Sequence, residues 1–322
     1  MGWLGWSFTA ILGIAALLAV LAAWATRNDA VALLDGVDAL FPRDRTARLV
    51  EAAHYGPDPA QKLEMFVPSG AAPAAGWPLI AFYHGGGWHN GDPHSYRFIA
   101  RTFADRGYAV ALIGYRLNQG GRYPAMLEDS AGGLKWAMDH AARHRIDPSR
   151  TIVMGHSAGA YNAVMLALDA RWTSAAGLPA NAIKGAVGLA GPYDFYPWTS
   201  DSARDAMGHW PNPRETLPIA YARRDAPPLL LVAGTADTLV RPRNSRALAA
   251  AMAALGKPAE LALIDGMGHN GLVITLARPF GAFDHRVRDA LLPFLAAQTG
   301  AAGAAAKPAS TPASAAVQAP AA

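Results

Sequence analysis

The sequence predicts an α/β fold with a mostly parallel central sheet flanked by helices. Three observations carry this. Short β-branched or aromatic runs alternate with helix-periodic stretches from about residue 48 to 298, and such alternation builds a parallel sheet covered by helices. Several of the runs are continuously apolar, as strands buried on both faces are. One of them, Ile152–Met154, passes through a Gly-rich turn straight into a helical pattern.

The elements follow in order. Leu33, Leu34, Val37, Leu40 and Phe41 recur at helical spacing before Pro42, which predicts a short amphipathic helix that rests on the domain or on a membrane surface. Strands are expected at Leu49–Tyr55 and Lys62–Val67, joined as a hairpin across the turn-rich Gly56-Pro57-Asp58-Pro59. A strand over Leu79–His84 precedes a helix over Ser95–Asp105, and a strand over Ala109–Ile113 precedes a helix over Ala125–His144. In the latter helix Leu127, Leu134, Ala137 and Ala141 share a face. Strand Ile152–Met154 leads into helix Ala158–Leu168, followed by strands Gly185–Leu189 and Leu229–Ala233, helix Arg243–Leu255, strand Glu260–Ile264 and helix His285–Ala297. Residues 191–227 lack a periodic pattern but carry Tyr193, Phe195, Tyr196, Trp198 and Trp210 among prolines. They read either as a small lid that shapes a pocket or as a long loop anchored to the sheet by its aromatics.

Both ends differ from this domain. Residues 1–27 hold an uncharged apolar stretch, Trp3 to Ala25, which as a helix would span about 35 Å against a hydrocarbon core of about 30 Å. It reads as a transmembrane anchor. The rival is a cleaved signal segment ending at Ala23-Trp24-Ala25, which would leave the protein periplasmic or secreted. Arg27, Arg43 and Arg45 after the stretch favour a cytoplasmic domain, but the excess is small and no side of the membrane is assigned. Residues 28–47 are expected to form a juxtamembrane linker or helix, 48–298 the α/β domain, and 299–322 an Ala- and Pro-rich tail without the large apolar side chains of a core.

Composition excludes several classes. The chain has 322 residues, 52% of them hydrophobic, and 28 Lys+Arg against 24 Asp+Glu for a net charge of +4. It is too apolar for disorder throughout. The basic residues form no run that would mark nucleic-acid binding. With no cysteine, a disulfide scaffold, a Cys-ligated zinc and a cysteine nucleophile are all excluded.

Four motifs carry chemistry, each after a predicted strand. Gly155-His156-Ser157-Ala158-Gly159 stands between strand and helix, the context of a nucleophile elbow that lifts a serine hydroxyl clear of the backbone. His84-Gly85-Gly86-Gly87-Trp88 follows a strand, and its glycines leave amides open to hold an oxyanion. Gly234-Thr235-Ala236-Asp237 puts a carboxylate at a strand's end, and Gly266-Met267-Gly268-His269-Asn270 does the same for an imidazole. Singly, the aspartate reads as a turn cap and the histidine as a solvated loop residue. Together, the chain order Ser157, Asp237, His269 is that of a triad on this fold: His269 as base and acid, Asp237 orienting it.

On these motifs residues 48–297 resemble an α/β-hydrolase. His84–Trp88, Tyr115-Arg116-Leu117, Tyr123-Pro124 and Asp129 resemble the hormone-sensitive-lipase-like esterases and the related feruloyl- and acetylxylan-esterase-like group. The resemblance implies carboxylic ester hydrolysis and an oxyanion hole from the amides of Gly86, Gly87 and Ala158. Asn118-Gln119 departs from the lipase-like pattern, and about 20 residues between the apolar stretch and the first strand are too few for that group's N-terminal cap. A small cap or none, and the feruloyl/acetylxylan-like branch, are therefore expected. The resemblance implies a small ester as substrate. An amide hydrolase of arylformamidase or peptidase type shares the triad and stands as the alternative. No cofactor or metal is called for: His84, His89, Asp92 and His94 lack ligand spacing. Asp194, in Gly191-Pro192-Tyr193-Asp194, is the rival triad acid. Asp265 is read as a turn cap, and Asp92 as pinning the oxyanion loop.

Overall fold

The computed structural model describes residues 30–40 and 46–301. The apolar stretch of residues 3–25, Phe41 and Pro42, and the tail beyond residue 301 lie outside them. Among the described residues, no helix is long and apolar enough to cross a membrane.

Eight strands form one sheet: β1 (Ala47–His54), β2 (Lys62–Pro68), β3 (Trp77–Tyr83), β4 (Ala109–Ile113), β5 (Ile146–His156), β6 (Ile183–Leu189), β7 (Leu229–Gly234) and β8 (Glu260–Ile264). Their spatial order is β1-β2-β4-β3-β5-β6-β7-β8. β2 runs antiparallel to both neighbours and all other pairs are parallel. The first two strands form the expected hairpin, with His54 opposite Lys62. β5 is longer than the apolar core of the sequence suggests. Its start pairs Ile146 with Trp77 before a register shift, beyond which Ile80 faces Ile152. Pairing at this polar start comes from a neighbouring strand, so hydropathy does not mark it.

Strand β3 alternates its side chains between two cores. Leu79, Ala81 and Tyr83 join one cluster with Leu127 and Leu134, Val164 and Leu168, and Leu248. Ile80 and Phe82 join the other with Phe98, Phe103, Leu291, Phe294 and Leu34. Helices flank the sheet: α1 (Ala30–Ala39), α2 (Arg97–Ala104), α3 (Ala125–His140), α4 (Ala158–Leu168), α5 (Ala170–Ala175), α6 (Asp201–Met207), α7 (Arg243–Ala254), α8 (Gly271–Ile274), α9 (Arg278–Gly281) and α10 (Arg286–Thr299). α4 is buried along its whole length, as a helix apolar on every side must be. α3 ends sooner than the sequence suggests. A 3₁₀ turn over Ala141–His144 takes its place, stopped by Arg145 in the left-handed region at φ 60°. Residues 191–227 are neither wholly loop nor wholly lid: they hold α6 and 3₁₀ turns at Pro213–Thr216 and Pro218–Tyr221.

The amphipathic segment near residue 33 is α1, and it packs on the domain. Leu34 is buried, and Arg101 of α2 clamps the helix through Asp38 (Nε to Oδ2, 2.5 Å) and Asp35 (2.5 Å). The second Asp38 oxygen accepts the Arg278 backbone N–H at 2.6 Å.

Strand order positions the site. The chain moves from β3 outward to β4, then returns across β3 to β5, so the direction of winding reverses beside β3. Loops leaving β3 and β5 diverge at such a point and open a crevice at the strands' carboxyl ends.

Candidate active site

Ser157 follows β5 and begins the turn into α4. Its φ of 54° and ψ of −118° lie outside the regions a non-glycine residue adopts without cost. Its amide is tied to the Leu189 carbonyl of the adjacent strand at 2.8 Å, which helps hold the turn in place. The flanking glycines allow close packing. A Cβ at Gly155 would lie 2.2 Å from the Gly159 carbonyl, and one at Gly159 would lie 2.1 Å from that of Tyr83. No other side chain fits at either position, so helix and strand approach to backbone distance.

Asp237 and His269 come from the loops after β7 and β8. Thr235 donates its N–H to Ile264, and Ala236 to Met267, at 3.0 and 3.1 Å, stitching the loops together. Asp265 lies in this seam and accepts the Thr235 hydroxyl at 3.0 Å. The buried Asp237 accepts the N–H groups of Leu239 and Val240 on Oδ1, both at 2.9 Å. Its Oδ2 accepts His269 Nδ1–H at 2.8 Å. A carboxylate only accepts, so Nδ1 carries the proton and Nε2 is left as an acceptor. The Ser157 hydroxyl lies 2.9 Å from Nε2. Three residues from three strand ends thus form one hydrogen-bonded chain. Asp194 stands elsewhere: its backbone N–H donates to Asn244 Oδ1 at 3.0 Å, and it lines a second cavity with Tyr196 and Arg214.

The loop after β3 is braced from below. His84 stacks on Tyr115 at 4.4 Å between ring centroids, the Tyr115 hydroxyl donates to the His84 carbonyl at 2.7 Å, and the Gly85 N–H donates to the Tyr96 hydroxyl at 3.1 Å. Gly86 has φ 118°, and a Cβ there would lie 2.0 Å from the Asn90 carbonyl. Its own carbonyl accepts from His89 and Asn90 N–H. Among the described residues, the amides of Gly86, Gly87 and Ala158 donate to no protein acceptor, and these three residues line the same cavity as Ser157. Such amides can hold a developing negative charge.

Asp92 does something other than pin this loop. It pairs with Lys62 at 2.6 Å and caps the 3₁₀ turn by accepting the His94 N–H at 2.9 Å. Burial raises its carboxyl, but those two partners outweigh burial and hold it below the usual range. The glycines and Tyr115 do the bracing instead. Arg116 forks onto Asp129 with bonds of 2.8 and 2.7 Å, fastening the chain after β4 to α3. Of His84, His89, Asp92 and His94, the last two are bound to each other, and among the described residues no group of three His, Asp or Glu side chains could hold a metal.

The sequence left His156 unassigned. It is buried beside His269, ring centroids 4.9 Å apart, and its Nε2–H donates to the His269 carbonyl at 3.3 Å. Burial first, and then the neighbouring His269, push its pKa down to about 3, so it stays neutral near pH 7. Only its place inside the glycine motif hinted at it. The cavity over Ser157 has a volume of about 960 Å³. Trp88, Phe195 and Leu239 line it, with Val31 of α1 and Arg241 and Arg243 near the start of α7. Phe195 packs near Trp88 and edge-on to Tyr161, at 6.3 and 6.0 Å, so the 191–227 segment both anchors to the domain and shapes the pocket.

A family model described as BD-FAE matches residues 63–252. The carboxylesterase NlhH of Mycobacterium tuberculosis is 38% identical over 95 residues, 29% of this chain and 30% of that protein. Isoprenylcysteine alpha-carbonyl methylesterase ICME of Arabidopsis thaliana is 25% identical over 241 residues, 68% of this chain and 56% of that protein. The match therefore spans less than two thirds of these relatives' length. Esterase B from Lactobacillus rhamnosis superposes with a TM-score of 0.70 at 21% identity, covering 88% of this chain and 96% of that one. A truncated carbohydrate esterase from gut microbiota gives 0.67 at 18% identity, covering 80% and 99%. These structural likenesses show the fold, which is that of the α/β-hydrolases.

Proposed function

The chain belongs to the BD-FAE family, and on that premise we propose that it is a serine carboxylic ester hydrolase working through an acyl-enzyme. One observation carries the reading: the unbroken chain of hydrogen bonds from Ser157 through His269 to Asp237, with both bonds to the imidazole under 3 Å. The named relatives, a carboxylesterase and a methylesterase, support the ester bond as the target.

In this mechanism the Ser157 oxygen attacks the ester carbonyl carbon while His269 Nε2 takes its proton. The carbonyl oxygen becomes an oxyanion and is held by the N–H groups of Gly86, Gly87 and Ala158. Asp237 stabilises the imidazolium without taking its proton. Collapse breaks the bond to the alcohol, which leaves with the proton from His269. Water then adds to the acyl-enzyme with His269 again as base, releasing the acid and restoring the serine. His156 stays neutral throughout, so it adds no positive charge against the imidazolium.

A hydrolysis panel on the full chain tests this, comparing short-chain p-nitrophenyl esters, feruloyl and acetylated-sugar esters, and N-formylkynurenine. Ester turnover should fall by about 10⁴-fold or more in Ser157→Ala. Surviving activity would overturn the mechanism, and turnover of the formamide alone would make the protein an amide hydrolase. Asp237→Asn should cost about 10⁴-fold in kcat, while Asp194→Asn should cost little; the reverse pattern would move the acid to Asp194. The uncharged stretch of residues 3–25 supports attachment to a membrane. Recovery of the chain in the membrane fraction after carbonate washing checks that, and release into the supernatant contradicts it.

A further inference from the structure

The cavity over Ser157 is unevenly charged. Three of its ionisable lining residues are accounted for: His269 is held by Asp237, which lies outside the lining, His156 is neutral, and Asp92 is paired with Lys62 at 2.6 Å. The two cationic ones that remain are Arg241 and Arg243. Both are exposed, and among the described residues neither has a carboxylate within ion-pair distance. Other arginines do have one: Arg97, Arg116 and Arg171 are held by Glu64, Asp129 and Asp169. Arg241 and Arg243 are also adjacent to the chemistry in the chain. Arg241 ends the loop that carries Asp237, and Arg243 opens the twelve-residue helix α7, whose N-terminus adds partial positive charge on the same side. A cavity whose unpaired lining charge has one sign raises the local concentration of ligands of the other. Guanidinium is also the side chain that best matches a carboxylate, taking it through two parallel N–H bonds.

We infer that Arg241 and Arg243 form an anion subsite in the Ser157 cavity, and that the substrate is an ester bearing a carboxylate on the part that extends past Leu239 toward α7. The inference rests on the ester hydrolase reading and deepens it by naming the substrate class. The neutral walls, Trp88 and Phe195, would take the uncharged remainder of the substrate.

Two matched pairs of esters test it on the full chain. 4-Nitrophenyl hydrogen glutarate against 4-nitrophenyl pentanoate places the carboxylate on the acyl side. 4-Acetoxybenzoate against methyl 4-acetoxybenzoate places it on the leaving-alcohol side. The readout is the ratio of kcat/KM, charged over neutral, in the wild type and in the double variant Arg241→Gln/Arg243→Gln. In one pair that ratio should fall about tenfold in the variant, through KM more than kcat, and the pair that responds identifies the side of the substrate. Raising salt from about 0.05 M to about 0.5 M should lower the wild-type ratio in the same pair, since exposed charges are screened. A ratio unmoved by the substitutions in both pairs overturns the subsite, as does an equal loss on charged and neutral partners. If the neutral esters are cleaved in a Ser157-dependent way while the ratio does not move, only the subsite is lost. If none of the four esters is cleaved, the hydrolase reading fails and the subsite with it.

Discussion

His156 sits where a protonated side chain would do harm, against His269 and with little solvent to hold a charge. Its folded pKa of about 3 lies below the ordinary 6.5, so the unfolded chain binds the proton more readily. The linkage therefore has one sign. The stabilising contribution is complete above about pH 6.5, falls as pH drops, and is gone near pH 3. Between pH 7 and pH 5 the loss is on the order of 2 kcal/mol. We expect the urea midpoint of the protein to fall over that interval, and to fall less in His156→Gln, which has no ring to protonate. Parallel curves for the two proteins would show that His156 does not set the acid sensitivity. Asp237 and His269, the ionisable groups nearest this ring, are unchanged in that comparison, so the difference isolates His156.

Among the elements, α1 is tied to the domain through Asp35 and Asp38. Ten residues are too few for a stable isolated helix, and only part of its surface is buried. Asp38 compensates by joining three segments: α1 itself, Arg101 of α2, and the backbone entering α9. A fully buried carboxylate with two charge-assisted bonds is costly to unpair from one side. Asp38→Ala should destabilise the protein by about 3 kcal/mol, read from chemical denaturation. Because Val31 lines the cavity, the same variant should raise KM for long acyl esters more than for acetate. Loss of stability with unchanged KM for both would show that α1 is only a brace. The elbow between β5 and α4 is the opposite case, held by local geometry. Its glycines and its serine at positive φ can be read in the sequence, because each answers to a steric constraint within a few residues.

For the whole molecule, the decisive fact is strand order. Ser157, Asp237 and His269 leave β5, β7 and β8, which lie on one side of β3 in the sheet, so their carboxyl ends share one rim. If the three act as a unit, the double variant Ser157→Ala/His269→Ala should lose about as much kcat/KM as either single variant; additive losses would mean they act separately. Eight strands, their alternation with helices, and the identity of the triad candidates were legible in the sequence because hydropathy period and Gly-rich turns are local signals. Less legible were the polar start of β5, the end of α3 at His140 and the internal order of residues 191–227, where pairing and packing with distant segments outweigh local preference. By itself the sequence determined which residues could be nucleophile, base and acid, since those roles follow from side-chain chemistry, and it marked open amides in the Gly85–Gly87 loop, since glycine leaves them unobstructed. Only the tertiary structure decided which of Asp194 and Asp237 meets His269, that His156 lies against that ring, and that Val31, Arg241 and Arg243 face one cavity. Those are contacts between segments brought together by the winding of the sheet, and no local pattern encodes a distance across it.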